Sequence, residues 1–345
     1  MKKFQVFLAF FLCLLLTACQ LPAQPATDPS LPAQSGGLTV HFLDVGQADC
    51  ALLECDGEYI LIDGGNVDDS SRVVSYLGSA GVEELEAVFC SHAHEDHVGG
   101  LPGVLAVYPT AAVYAPTNTY SSKCFDDFLY YTDQQGLEVT IPRVGDSLTF
   151  GGAEVEVLGP IQSYADPNNT SLVLRVRYGS TSFLFTGDME TDAETDLLEA
   201  GTDVKADVLK VGHHGSNTST GYRFLYEVAP KYGIISVGAG NTYGHPHEEP
   251  LSRLEDAGVP LYRTDKMGTI IAESDGTTIT FTTGSGTSPA PTTPPEAVSY
   301  IGNKNSKKLH HPDCGSLPKE SNRVYFDSYQ AAIDAGYDPC GQCLG

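Results

Sequence analysis

The chain of 345 residues alternates short apolar runs with polar loops. Runs of three to seven residues that are rich in Val, Ile, Leu and Phe predict strands at 38–43, 59–62, 87–90, 112–114, 154–158, 172–178, 182–185, 208–211, 233–237, 269–272 and 278–282. Apolar positions with helical spacing predict helices at 70–80, 193–198 and 250–257. Many strands with helices between them favour a layered α/β domain over a helical bundle or a pure β-sandwich.

The N-terminal segment has the pattern of an export signal. Lys2 and Lys3 precede an apolar run over residues 4–16, which is shorter than the roughly 20 residues of a membrane span. The run ends in Leu-Thr-Ala-Cys, which resembles a bacterial lipobox and implies that Cys19 is lipidated. We therefore expect a signal peptide at 1–18 and an exported protein anchored by lipid to the extracytoplasmic face of the cell membrane. An ordinary cleaved signal with an incidental cysteine is the alternative.

Two low-complexity segments divide the rest of the chain. Residues 19–37 are rich in Pro, Ala and Gln, and residues 284–298 are rich in Pro, Thr and Ser. Such compositions cannot bury a core, so we interpret the first as a tether and the second as a linker. They bracket a main domain at 38–283 and a small module at 299–345, which the linker composition predicts to be independent of each other.

The charge of the chain limits its partners. The formal net charge is −25, and residues 38–283 hold 12 Lys and Arg against 37 Asp and Glu. A surface this acidic repels a phosphate backbone and argues against tight, non-specific binding of nucleic acid. A phosphate substrate would therefore have to meet metal ions. No protein partner is predicted.

The strongest chemical signal follows the strand at 87–90. The next residues read Ser-His-Ala-His-Glu-Asp-His-Val-Gly-Gly and contain His92, His94, Asp96 and His97. His92 and His94 alternate, so both can point the same way from an extended segment, while Asp96 and His97 open a helix. Imidazoles with carboxylates are ligands for Zn, Mn or Fe. A merely solvated loop would have no reason to connect a buried strand to a Gly-Gly pair.

This run resembles the H-x-H-x-D-H signature of the metallo-β-lactamase superfamily. The resemblance implies an α/β fold, an αββα sandwich with its metal site at one edge. Asp63, after a strand, matches a carboxylate that supports the ligands, and Asp188 matches the bridging aspartate. The runs Phe-Leu-Asp-Val-Gly-Gln-Ala-Asp, Asn-Asn-Thr-Ser-Leu, Gly-His-His-Gly-Ser and Tyr-Gly-His-Pro-His resemble more specifically the hydrolase domain of the ComEC competence proteins. Ala48 stands where that family usually has glycine.

The resemblance implies two divalent ions, Zn or Mn, and distributes the ligands between them. No histidine lies between His97 and Asp188, although many relatives use one there to complete the first site. The first site would then comprise His92, His94 and Asp188. The second would comprise Asp96, His97, Asp188 and a distal histidine, for which His245 is the first choice. His213 and His214 are alternatives, as ligands or as donors that face a phosphate.

The implied mechanism is hydrolysis by a hydroxide that bridges two metal ions. Asp96 or Asp188 would accept the proton of the water. His214 would bind phosphoryl oxygens or protonate the leaving group. Further residues are expected to support the ligands or to contact the substrate: Asp44, Gln47, Asp63, Asn169 and Ser216.

The last 47 residues carry a second metal pattern. His310, Cys314, Cys340 and Cys343 have the spacing H-x3-C and C-x2-C in a unit too small to fold on core burial alone. They predict one structural zinc, and the module resembles the zinc-binding module of Ada, with histidine replacing one cysteine. A disulfide between Cys340 and Cys343 is the alternative. Whether disulfides join the cysteines of the main domain is left open; these are Cys50, Cys55, Cys90 and Cys124.

These features predict an exported metal-dependent hydrolase, with phosphodiesterase or nuclease activity as the first hypothesis. A phosphodiester or nucleic-acid substrate agrees with the resemblance to competence proteins. Another hydrolase of the superfamily, such as a lactonase or β-lactamase, is the second hypothesis, against which the missing histidine argues. A catalytically silent surface-binding protein is the third, and the complete histidine motif argues against it.

Overall fold

The computed structural model describes residues 36–285, 300–327 and 329–344. The predicted signal peptide, Cys19, and most of the tether and the linker lie outside these residues. In the described part of the chain, no helix has both the length and the hydropathy that a membrane span requires.

The regular elements of the described residues are mostly short. The strands are β1 Leu38–Phe42, β2 Ala51–Cys55, β3 Glu58–Ile62, β4 Ala87–Phe89, β5 Val113–Tyr114, β6 Val139–Thr140, β7 Ser147–Phe150, β8 Ala153–Gly159, β9 Val173–Tyr178, β10 Thr181–Phe185, β11 Val208–Lys210, β12 Tyr232–Ile235, β13 Leu261–Arg263, β14 Ile270–Ser274, β15 Ile279–Thr283, β16 Tyr300–Asn303, β17 Lys308–His310, β18 Arg323–Phe326 and β19 Asp338–Pro339. The helices are α1 Ser70–Ser79, α2 Glu95–Val98, α3 Leu101–Val107, α4 Lys123–Gln134, α5 Thr191–Glu199, α6 Tyr222–Val228, α7 Glu248–Asp256, α8 Thr264–Met267 and α9 Tyr329–Asp334.

The strands form two large sheets and one small sheet. The first sheet has the order β15-β14-β1-β2-β3-β4-β5-β6, and the second has the order β13-β12-β11-β10-β9-β8-β7. The small sheet, β18-β16-β17-β19, belongs to the C-terminal module. In β1, Leu38, Val40 and Phe42 are buried while the intervening residues are half-buried, as the two-residue period of a strand requires.

The core has three layers of apolar contact. The inner faces of both large sheets share one cluster, in which the rings of Phe42 and Phe185 stack at 5.7 Å between centroids. A second cluster lies between the first sheet and α1, α3 and α4, and a third lies between the second sheet and α5, α6 and α7. The predicted αββα sandwich is therefore confirmed.

The topology brings the predicted chemistry to one edge of the sandwich. Strands β3 to β6 run parallel to one another, and so do β10 to β13. The carboxyl ends of parallel strands meet at one edge of a sheet, where ligands bind in open α/β sheets. Asp63 follows β3, His92 follows β4, Asp188 follows β10 and His213 follows β11, so four motifs far apart in sequence converge there.

The C-terminal module packs against α6 of the main domain. The ring of Tyr222 lies 5.9 Å from that of Tyr329 and 6.4 Å from that of Tyr300. The Tyr222 hydroxyl donates to Asp256 Oδ2 at 2.7 Å, and His311 Nε2 lies 3.8 Å from the same atom. The expectation that the linker leaves the modules independent is therefore wrong, because these buried rings are withdrawn from water on both sides.

Candidate metal centre

The histidine-rich loop presents its donors from two backbone conformations. His94 is extended (φ −71°, ψ 152°), and α2 begins at the next residue. Asp96 and His97 therefore stand on the first turn of a helix, while His92 precedes it on the extended side. His92 and His97 are fully buried, with ring centroids 4.2 Å apart. His94 is half-buried, and its Nδ1 lies 3.0 Å from His92 Nε2.

Asp63 supports this loop from inside the protein. Its carboxylate accepts hydrogen bonds from the backbone N–H and the hydroxyl of Ser91, both at 2.7 Å. The same carboxylate lies 2.9 Å from His97 Nδ1. Occupying one ring nitrogen in this way directs Nε2 of His97 toward the centre of the site.

Asp188 lies between two groups of imidazoles. Its Oδ1 is 3.2 Å from His97 Nε2 and 3.7 Å from His214 Nε2. Its Oδ2 is 3.8 Å from His92 Nε2 and 3.6 Å from His213 Nε2. The two oxygens of one carboxylate thus face two different donor groups, which is the geometry that a bridging ligand needs.

An unusual turn aims two successive histidines at Asp188. His213 (φ 49°) and His214 (φ 53°) both occupy the left-handed region, which costs a non-glycine residue about 1 kcal/mol or more. Buried contacts retain His214 in this conformation: its Nδ1 lies 3.0 Å from the Ser236 carbonyl oxygen. His213 Nδ1 lies 3.1 Å from Glu190 Oε1, which leaves its Nε2 to face Asp188.

One group of donors fits a cation on the observed contacts alone. Ligand atoms of Asp96, His97, Asp188 and His214 lie within 4.8 Å of one another. His97 Nε2, Asp188 Oδ1 and His214 Nε2 are buried and have no hydrogen-bond partner. Burying a polar atom without a partner costs ~1–3 kcal/mol, and an ion bound between these three facing atoms would remove that cost. Two imidazoles and two carboxylates suit Zn²⁺ or Mn²⁺.

The charges of the group are strongly coupled. Burial disfavours a charged His214, but Asp188 and Asp49 outweigh burial and raise its pKa to about 10. Burial likewise opposes the ionisation of Asp188, but His97 and His214 hold its pKa well below the usual range. The carboxylates of the centre are therefore stabilised in their ionised form by nearby positive charge. A divalent cation would supply that charge after displacing the protons of the imidazoles.

The donors line a cleft of about 470 Å³. His94, Asp96, Asp188, His213 and His214 belong to its wall. The remaining lining residues are polar or aromatic: Gln47, Asn66, Glu95, Asn168, Tyr243 and His245. A substrate can therefore reach the centre from solvent.

The C-terminal module contains the second metal-binding group. His310, Cys314, Cys340 and Cys343 place one ligand atom each within 4.8 Å of one another. His310 and Cys314 are buried, while Cys340 and Cys343 are half-buried. Ser316, whose hydroxyl is 3.2 Å from Cys314 Sγ, stands beside the group. Three thiols and one imidazole form the closed donor set of a structural zinc site.

Comparison with known sequences identifies both parts of the chain. The profile described as "Metallo-beta-lactamase superfamily" matches residues 43–239, more than half of the chain. The chain belongs to the metallo-beta-lactamase superfamily. The profile "Metal binding domain of Ada" matches residues 295–344, which contain the three thiols and His310.

Three relatives of this superfamily member align with between 52% and 70% of the chain. The chain is 31% identical over 258 residues to ComE operon protein 3 of Bacillus subtilis, and the alignment covers 69% of this chain and 33% of that protein. It is 32% identical over 244 residues to competence protein ComA of Neisseria gonorrhoeae, covering 70% and 33%. It is 28% identical over 187 residues to exodeoxyribonuclease YycJ of Bacillus anthracis, covering 52% and 65%. The chain thus spans about a third of the length of the two competence relatives.

A buried ion pair behind the metallo-beta-lactamase centre was not expected from the motifs. Lys210 Nζ lies 2.7 Å from Asp49 Oδ2, and both side chains are almost completely buried. Asp49 Oδ1 lies 3.3 Å from His214 Nδ1, and Lys210 and His214 hold the pKa of Asp49 well below its usual range against the effect of burial. The sequence feature that could have indicated this ion pair is a lysine at the end of an apolar strand, three residues before the paired histidines.

Ala48, which stands where the resembling family has glycine, fits its position. Its methyl is buried in the adjoining core, and its backbone does not need the left-handed region.

His245, the first choice for the distal ligand, is not one of the four donors that lie together. Its ring centroid is 6.3 Å from that of His214 and 5.4 Å from that of His213, and its Nδ1 is 3.3 Å from Gln47 Nε2. Burial and the neighbouring histidines lower the pKa of His245 to about 4. The structure instead brings His214 into the group with Asp96, His97 and Asp188.

The other predicted supporting residues lie near the centre in different roles. Asn169 Oδ1 accepts from the backbone of Glu190 at 3.0 Å, whereas the neighbouring Asn168 lines the cleft. Ser216 contacts Thr218 Oγ1 at 2.9 Å and helps to close the turn after His214. Asp44 caps its own loop by accepting from the backbone of Gly46 at 3.4 Å and is not among the described residues that line the cleft.

The four cysteines of the main domain are free and buried in this structure. Cys55 Sγ donates to the Gly151 carbonyl at 2.8 Å, and Cys90 Sγ donates to the His92 carbonyl at 2.9 Å. Burial raises the pKa of the Cys55 thiol to about 11 and holds that of Cys90 well above its usual value. These residues therefore pack as small apolar side chains, and the disulfides left open by the sequence are not formed.

Proposed function

We propose that this metallo-beta-lactamase-fold hydrolase is a phosphodiesterase that acts on nucleic acid. The observation that carries the proposal is the donor group of two carboxylates and two imidazoles, Asp96, His97, Asp188 and His214, of which three line the cleft. Such a group suits divalent cations that also accept oxygen ligands, and the bound ions would in turn bind phosphate oxygens. The names of the competence proteins and of the exodeoxyribonuclease support the same substrate class.

Most residues of the centre would bind the ions, and one carboxylate would transfer a proton. Asp188 would be shared by two ions, with Asp96, His97 and His214 on one side and His92, His94 and His213 on the other. Divalent ions bound there would lower the pKa of a water molecule toward neutral pH and would offset the charge that develops on phosphoryl oxygens. Asp96 is 29% exposed at its side chain, so it is the carboxylate able to exchange a proton with the cleft.

The supporting residues keep the donors in place while substrate enters. Asp63 holds His97 through Nδ1, the Ser236 carbonyl oxygen holds His214 through Nδ1, and Glu190 Oε1 lies 3.1 Å from His213 Nδ1. An acceptor at Nδ1 favours the tautomer that leaves Nε2 free to bind an ion. The same arrangement at three histidines indicates a centre organised in advance of metal binding.

The test combines metal analysis with substrate comparison on the full-length protein, solubilised in detergent. Metal content is measured by plasma mass spectrometry, and turnover is measured on bis-nitrophenyl phosphate, single-stranded DNA and a chromogenic cephalosporin, each with Mn²⁺ and with Zn²⁺. We expect both phosphodiesters to be hydrolysed and the cephalosporin to be spared. Faster turnover of the cephalosporin would overturn the proposal in favour of a β-lactamase. Metal binding without any turnover would overturn it in favour of a binding protein.

We also propose that the protein is exported and held at the extracytoplasmic membrane face by a lipid on Cys19. The support is the sequence pattern of residues 1–19. Cys19→Ser should release the protein from the membrane fraction or leave an unprocessed precursor, whereas Cys13→Ser, within the apolar run, should leave fractionation unchanged. Metabolic labelling with a palmitate analogue reads out the lipid directly. Labelling of the Cys19→Ser protein would refute the anchor.

A further inference from the structure

The rim of the metal cleft carries an aromatic ring that the hydrolytic centre does not use. Tyr243 is 68% exposed, the largest exposed fraction among the large apolar side chains of the described residues, and it lines the same cleft as Asp96, Asp188 and His214. An exposed ring beside a metal centre offers one π face to whatever enters the cleft. Isolated exposed rings are common on protein surfaces, so the surroundings of this one decide its meaning.

The ring of Tyr243 is mounted on an ordered support. It lies nearly parallel to the His245 imidazole, with 5.7 Å between centroids and 24° between planes. His245 lies nearly parallel to His214 in turn, at 6.3 Å and 27°. Successive tilted-parallel rings therefore lead from the metal donor to the rim of the cleft.

The loop that bears Tyr243 is tied down by one side chain. Asn241 Oδ1 accepts from the backbone N–H of Tyr243 at 3.1 Å and from that of His245 at 3.0 Å. Asn241 Nδ2 donates to the carbonyls of His245 at 2.7 Å and Gly238 at 2.9 Å. Four hydrogen bonds therefore fix the backbone from which the ring projects, which lowers the entropic cost of stacking a ligand on it.

The charge of the cleft restricts which phosphodiester can use that ring. No lysine or arginine is found among the described residues that line the cleft, and Glu95 contributes a carboxylate there. A duplex is normally held by cations along its two backbones, and this surface has no such row to offer. Contact is thus limited to one phosphate at the metal centre and to whatever lies next to it.

We propose that Tyr243 is a stacking platform for an unpaired nucleobase beside the scissile phosphodiester, so that the substrate is single-stranded. The inference rests on the proposed function and adds its substrate form. Every base has a π face, so a stacking platform is tolerant of sequence, but the faces of paired bases are covered by their neighbours in a duplex. Tyr243 is a binding residue in this account and takes no part in proton transfer.

The experiment distinguishes the effect of the aromatic ring from that of side-chain size, and it tests whether the substrate needs a base. The full-length protein and the variants Tyr243→Phe, Tyr243→Leu and Tyr243→Ala are compared on oligothymidylate, on an abasic oligomer of equal length, and on the oligothymidylate annealed to oligoadenylate. Tyr130→Ala is the matched control, because Tyr130 is 55% exposed on α4 and does not line the cleft. Melting curves check that each variant is folded.

We expect the wild-type protein to prefer oligothymidylate over both the abasic oligomer and the duplex. Tyr243→Ala should lower kcat/KM on oligothymidylate by about 5- to 150-fold, mainly through KM, and erase the preference over the abasic oligomer. Tyr243→Leu should resemble Tyr243→Ala, and Tyr243→Phe and Tyr130→Ala should resemble the wild type. Hydrolysis of oligothymidylate with an unchanged base preference in Tyr243→Ala would overturn this inference and leave the proposed function standing. Absence of all phosphodiester hydrolysis in the wild type would overturn both.

Discussion

Removing the ammonium group of Lys210 should destabilise the fold and weaken the metal centre together. Lys210 is 3% exposed and its Nζ lies 2.7 Å from Asp49 Oδ2, while Asp49 is 6% exposed. The substitution Lys210→Met keeps the length of the side chain and leaves the Asp49 carboxylate buried without its ammonium partner. Breaking one side of a buried ion pair costs about 3–5 kcal/mol, more than most single substitutions.

The metal effect follows from the contact between Asp49 and His214. Asp49 Oδ1 lies 3.3 Å from His214 Nδ1, which is also 3.0 Å from the Ser236 carbonyl oxygen, so a displaced carboxylate leaves the ring that faces Asp188 with one support instead of two. Loss of such a supporting contact weakens metal affinity by about 10- to 100-fold. Fold stability and metal affinity should therefore fall in the same variant.

The assay is urea unfolding followed by circular dichroism, with metal affinity measured by competition with a chromogenic chelator. The double variant Asp49→Asn with Lys210→Met should recover much of the lost stability, because it removes the stranded charge, but not the metal affinity. Lys205→Met, at an exposed lysine, should change stability by no more than about 0.5 kcal/mol. A loss below about 1 kcal/mol in Lys210→Met would refute the reasoning, because it would mean that the pair is not a closed, buried one.

Three further predictions test other parts of the structure. Asp188→Ala should reduce phosphodiester turnover to below a tenth at saturating metal while the metal-loaded variant remains folded by circular dichroism, because one carboxylate faces both donor groups; higher residual turnover would contradict its bridging place. Burial raises the pKa of Glu194 from 4.5 to about 7, so the carboxyl loses its proton first in the unfolded chain. Urea unfolding should show stability falling by roughly 3 kcal/mol from pH 4.5 to pH 7, and Glu194→Gln should remove that component; parallel profiles would refute it. Cys340→Ser should release the C-terminal zinc and, through the lost contact of Tyr222 with the module, lower the stability of the main domain by about 2 kcal/mol in thermal unfolding. Lys319→Ala, an exposed substitution in the same module, is its control, and an unchanged main-domain transition would show that the docking contributes nothing.

Two of the elements that the sequence did not predict, β2 and α4, were missed for different reasons. β2 follows the Asp-Val-Gly-Gln loop and has four of its five residues buried, so it shows no alternation between buried and exposed positions. α4 did have a detectable signal: Ser122 caps it by accepting from the Phe125 N–H, and Phe125, Phe128 and Thr132 are buried on one face. Its loop-like neighbourhood of Thr, Asn and Ser obscured that period.

The sequence by itself determined the fold class, the kinds of donors and the strand ends that carry them, because strand, turn and metal motifs are local patterns. Tertiary structure alone decided which distant residues meet. It placed His214, rather than His245, with Asp96, His97 and Asp188, and it paired Lys210 with Asp49. These choices depend on ångström-scale distances between the ends of strands in two different sheets, and no spacing within the chain encodes such a distance. The docking of the C-terminal module was decided in the same way, because burial of facing rings outweighed the flexibility that the linker composition suggested.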